Sequence, residues 1–138
     1  MKEARKMILG AYPSWECRSL ESIYNCMGLV FANRRTAIEP EYFDMIVSDD
    51  GYKKLSTLEE AIIGDVFAFR DRDNLIAHVG ILLEKSKIGS STIMKILSQW
   101  GKDGEYVHSY DQWPKGIDIH GGIQSIEAWT QRTGVSYE

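Results

Sequence analysis

"GDVFAFRDRDNLIAHVGILLEKSKIGSSTIMKILSQWGKDGEYVHSY", from Gly64 to Tyr110, is the part of this chain that decides its fold. It breaks into the strand-like runs "GDVFAFRD", "LIAHVGILLE", "STIMKILSQW" and "EYVHSY", each rich in β-branched and aromatic residues. The clusters between them, "RDRDN", "KSKIGS" and "GKDG", carry the glycine, asparagine and aspartate that turns require. Connections this short join antiparallel neighbours, because a parallel crossover needs a dozen residues or more. One hairpin, 75–84 with 92–99, follows directly.

Working outward, the period changes. Toward the N-terminus Asn25 is placed to cap a helix, its side-chain oxygen accepting a first-turn N–H. Met27, Val30 and Phe31 then recur at i, i+3, i+4, predicting a helix of about ten residues. Gly28 inside it costs roughly 1 kcal/mol against alanine, which implies close packing there. A second helix is expected around 41–48, "EYFDMIVS", and a short one in "STLEEAII", with Ser56 as cap and Glu59 completing a capping box. Residues 1–22 read as an irregular lead-in with "YPSWE" as a turn, and "IQSIEAWTQR" fits either a helix or a strand. Helices first and an antiparallel sheet second is an α+β layout, in one domain spanning 1–138.

Composition narrows the function. The 138 residues suit a single core, and 43% hydrophobic with 26% charged residues describes a globular chain. A net charge of -4 with no basic stripe argues against nucleic acid as a partner. No apolar run approaches the ~20 residues that cross a bilayer, and "MILGAY" is too short for a signal-peptide core. The expected location is therefore cytoplasmic, or outside by a route without a cleavable signal. The two cysteines, Cys17 and Cys26, are expected as free thiols, and no ligand spacing suggests a metal site or another cofactor.

Cys26 starts the first helix, where free N–H groups and the helix dipole favour thiolate. A thiolate nucleophile still wants a base. Of the three histidines, His78, His108 and His120, His78 opens an apolar strand at the sheet's rim. The small Ala77 and Gly80 beside it leave room for a backbone or a substrate.

The ordered set "NC-x-G-hydrophobic", "GDVFAF" and "AHVGILLE" resembles the papain-like cysteine hydrolases of the NlpC and CHAP type. The resemblance runs from Tyr24 to about Trp100. It implies a papain-like fold, with a nucleophile helix packed on a small antiparallel sheet. It also implies Cys26 as nucleophile, His78 as base, and the Cys26 backbone N–H as an oxyanion donor. Asn25 stands where the family has aspartate and Met27 where it has serine; the narrower space beside the thiol points away from the familiar cell-wall peptide. The family's third, orienting residue is sought at the end of the strand paired with His78. Gln99 is the first candidate, with Ser98 (expected on the opposite face) and His108 as competitors. Tyr24, Trp100 and His108 are candidates for the substrate wall.

The implied activity is cleavage or transfer of an amide, in a peptide, a peptidoglycan stem peptide or a glutamine side chain, by a Cys26–His78 dyad or a triad with Gln99. The competing reading is a non-catalytic binding module, an immunity or adaptor protein, with Cys26 and His78 kept by packing. A redox pair would need Cys17 to approach Cys26. The "NRR" at 33–35 reads as the basic end of a helix, "RDRD" at 70–73 as a solvated turn, and Trp100, Trp113 and Trp129 as packing.

Overall fold

A computed structural model describes residues 15–19, 25–31, 38–100, 104–112 and 122–132. Among these residues seven strands form one sheet: β1 (Glu16–Ser19), β2 (Lys53–Lys54), β3 (Val66–Asp71), β4 (Ile76–Ile88), β5 (Ser91–Gln99), β6 (Glu105–Ser109) and β7 (Ile123–Thr130). Their order across the sheet is β1-β6-β5-β4-β3-β7-β2, and every neighbouring pair is antiparallel. The helices α1 (Cys26–Phe31) and α2 (Phe43–Asp49) are short, as are the 3-10 turns Pro40–Tyr42 and Leu58–Glu60.

This corrects the expected α+β, papain-like architecture. The described chain is dominated by one antiparallel sheet, and strands come from segments read otherwise. Glu16–Ser19, in the supposed lead-in, pairs with β6; Lys53–Lys54 pairs with β7; and "IQSIEAWT" is a strand between β3 and β2. The physical reason lies in the partners. A two-residue or four-residue strand has no periodicity of its own and exists because a neighbouring edge supplies its hydrogen bonds. "IQSIEAWT" is ambiguous locally, and the open edge of β3 resolves it. The third helix shrinks to a 3-10 turn, capped one residue later than expected by Thr57, whose N–H donates to Glu60 at 3.0 Å.

Strand alternation gives the sheet two faces. On one, Val66, Ala68 and Val79 pack with Cys26 and Met27 of α1 and with Phe43 and Val47 of α2. Leu97 and Val107 extend this helix face against Leu29. On the far face Phe67, Phe69, Leu82, Met94 and Ile96 pack with Leu55, Ala61 and Ala128. Each of these larger side chains contributes about 1.5–3 kcal/mol by leaving water.

Arg70, read as part of a solvated turn, is buried. It donates to Asp44 at 2.9 Å, to Glu127 at 3.0 Å and to the Asn74 carbonyl at 3.1 Å, tying α2, β3 and β7 together. The "NRR" segment lies outside the described residues.

Candidate functional site

Asn25 caps α1. Its Oδ1 accepts the Gly28 N–H at 2.9 Å and the Ile38 N–H at 3.1 Å, while its Nδ2 donates to the Ile38 carbonyl at 2.7 Å. Cys26 therefore sits in the first turn, as the sequence suggested, but it is buried in the helix-face core. Burial raises the thiol's pKa, and this outweighs the backbone N–H groups of Val79, Met27 and Cys26 itself, which pull it down. Met27 is completely buried and fills core rather than narrowing an open cleft.

His78 is on the other side. It pairs with Phe69 of β3, their rings 5.5 Å apart, and its neighbour Val79 is the residue that packs with Cys26. Alternation sends the two side chains to opposite faces. His78 is held well below its ordinary pKa by burial and then by the charge of His108.

The β4–β5 register explains where the remaining candidates fall. Ile81 pairs with Leu97, so the register carried on places Trp100, rather than Gln99, opposite His78. The two rings stack in parallel, 3.6 Å apart with a 5° interplanar angle. Ser98, expected on the face away from His78, shares its face and bonds His108 Nε2 at 2.9 Å. Gln99 pairs with Glu105 and lies on the helix face, the face of Cys26. The room expected beside Gly80 is occupied by β5: a Cβ there would lie 2.7 Å from Ser98 Oγ.

Two groups replace the expected triad. Cys26 and Gln99 share the helix face. His78, Trp100, His108 and Ser98 share the far face, joined by Trp15, which stacks on His108 at 4.3 Å and donates from Nε1 to Gln112 at 3.0 Å. His78 Nε2 and Trp100 Nε1 are buried in this cluster with no hydrogen-bond partner among the described residues. Burial lowers the His108 pKa to about 4. Trp15 was missed because "YPSWE" carries turn residues; its alternation with Cys17 was the available signal.

Tyr24, Trp113 and His120 lie outside the described residues. Trp129 is half-buried, its ring edge on Phe43 and its Nε1 donating to Glu127 at 3.0 Å. Neither Cys17 nor Cys26 is in a disulfide, and Cys17, paired across strands with Tyr106, belongs to the far face. Among the described residues no group of three or more histidine, cysteine or acidic side chains is arranged to hold a metal ion, and no helix is long and apolar enough to cross a membrane.

Comparison with protein-family models, with curated proteins and with solved structures finds no match.

Proposed function

We propose that the chain is a non-catalytic protein-binding module, in which Cys26 and His78 pack the two faces of the sheet. The observation that supports this reading is their separation. General-base catalysis needs hydrogen-bond reach between base and nucleophile, about 2.6–3.2 Å or one water. A buried thiol pushed up in pKa on one face and a buried neutral imidazole on the other cannot exchange a proton.

One observation favours the second reading, a cysteine hydrolase or acyl transferase acting on an amide. The Cys26 sulfur lies among backbone N–H groups, the kind of donors that stabilise a thiolate or an oxyanion. That reading requires a different base from His78 as it is placed.

The deciding measurement is the pH dependence of iodoacetamide labelling, site-resolved by mass spectrometry, in the native protein, in Cys17→Ala and in His78→Ala. The expected result is slow labelling of Cys26 with an apparent pKa above the ordinary thiol value of about 8.5. It should be indifferent to His78→Ala and become rapid on unfolding. A Cys26 that labels quickly below pH 8, and loses that reactivity in His78→Ala, would overturn the binding-module reading.

A further inference from the structure

β1 lies at one edge of the described sheet and is lightly held. It has four residues and pairs with β6 alone, with an irregularity between Cys17 and Ser19. Among the described residues its anchor on the far face is Trp15, which directly precedes the strand. That ring lies on His108 of β6 at 4.3 Å and 21°, stacks more distantly on Trp100 at 6.1 Å, and donates to Gln112 at 3.0 Å. An edge element with so few bonds opens more easily than the strands inside.

His108 is built into this cluster as a neutral ring. Its Nδ1 lies 2.8 Å from the Ser109 carbonyl, which can only accept, so Nδ1 carries the proton. Nε2 then accepts from the Ser98 hydroxyl at 2.9 Å. A second proton would make Nε2 a donor aimed at that hydroxyl, which is buried against Gly80. Asp111, in the turn after β6, favours the cation, and a charge on His78 of β4 opposes it. β5 places Met94, Ile96, Ser98 and Trp100 on this face, none of them ionisable, while β1 adds Cys17 and β6 adds Tyr106. Burial outweighs Asp111 and the backbone groups of Ser109 and Gln112, and keeps the ring neutral down to about pH 4. Stacking of a cation on Trp15 recovers only part of the lost hydration.

Of the groups that cover the ring, Ser98 and Trp100 belong with β5, which is paired on both sides, whereas Trp15 belongs with the edge. We infer that β1 is an acid-released edge: protonation of His108 frees Trp15 and β1 while β3, β4, β5 and β6 keep their pairing. Hydration of the imidazolium drives the release, and the strand returns as the proton leaves. Release bares the outer edge of β6, with its unpaired backbone groups, at low pH only. This device goes beyond the binding-module reading and stands without it.

The sign follows from linkage. In the open form His108 regains the ordinary value near 6.5, against about 4 when closed, so opening grows as pH falls between the two. From pH 7.5 to pH 5 the opening constant should rise roughly thirtyfold.

Native-state hydrogen exchange by NMR on the whole chain tests this, each rate being divided by that of an unstructured peptide at the same pH. The Trp15 indole N–H and the β1 amides bonded to β6 should be protected at least about tenfold less than the Ala68 amide, which lies in β3 between β4 and β7. Protection in β1 should fall roughly thirtyfold from pH 7.5 to pH 5, and by less than about threefold in His108→Gln. A β1 that exchanges together with Ala68 at every pH leaves only when the whole sheet unfolds, and that result would overturn the inference. A β1 that opens locally but without regard to pH would overturn it equally, as would a full acid response in His108→Gln. The first two outcomes are read on the wild-type protein, so they decide the matter even where the variant does not fold.

Discussion

Gly80 illustrates how little room a single residue has in this sheet. A Cβ at that position would lie 2.7 Å from Ser98 Oγ, 3.0 Å from the Ile96 Cδ1 and 3.0 Å from the Leu97 carbonyl. The carbonyl is β5 backbone and cannot yield, and the serine is held by His108. Gly80→Ala should therefore destabilise by about 1–3 kcal/mol, the usual cost of overpacking. Urea unfolding with an unchanged m-value would measure it. A neutral effect would mean that β4 and β5 are further apart at this point. The same contact decides between the two occupants that the small Gly80 allowed, a backbone or a substrate, in favour of the β5 backbone. Small residues admit either a ligand or a neighbouring backbone, and composition does not say which.

At the scale of elements, α1 depends on its cap more than on its length. Asn25 makes the ordinary N-terminal bond to Gly28 and also grips Ile38 from both sides, fixing the segment that leads into α2. Losing an ordinary cap costs about 1 kcal/mol, and each further half-buried bond about 0.5–1.5 kcal/mol. Asn25→Ala should thus cost about 2–4 kcal/mol in thermal or chemical unfolding. Asn25→Asp, which keeps the acceptor and loses the Nδ2 donor, should cost less than half as much. Equal losses in both variants would show that the Nδ2 bond to the Ile38 carbonyl, rather than the cap, carries the effect. β1 and β2 depend on partners in the same way: neither has enough residues to be a strand alone.

Across the whole molecule, the far face buries two imidazoles among the described residues, His78 on β4 and His108 on β6, with β5 between them. Both are held below the ordinary histidine range, His108 to about 4, chiefly by burial. The unfolded chain, with histidine near 6.5, takes up protons first as pH falls. The stabilisation is therefore complete above about pH 6.5 and is lost as pH falls through the folded values. For His108 alone the shift from 6.5 to about 4 is worth roughly 3 kcal/mol. Chemical denaturation between pH 8 and 4 should find stability falling below about 6.5. His108→Gln, whose amide can keep a bond to Ser98, should flatten that slope. A flat profile in the wild type would mean that the cluster opens to water.

The sequence by itself determined the strands of β3, β4, β5 and β6, the turns between them, and the start of α1 at Asn25 and Cys26. These follow from side-chain period, turn chemistry and capping, each legible within a few residues. It also brought out the residues of interest, since Cys26, His78, Gln99, Trp100 and His108 are all buried. Only the tertiary structure decided which of them meet. The face of a strand residue is a matter of parity, and one residue of register reverses it. The β4–β5 pairing, with its irregularity between Leu82 and Glu84, is set by turn and bulge geometry. It stacks Trp100 on His78 and leaves Gln99 with Cys26 on the other side. Short strands belong to the same category, because a strand edge is defined by what lies beside it.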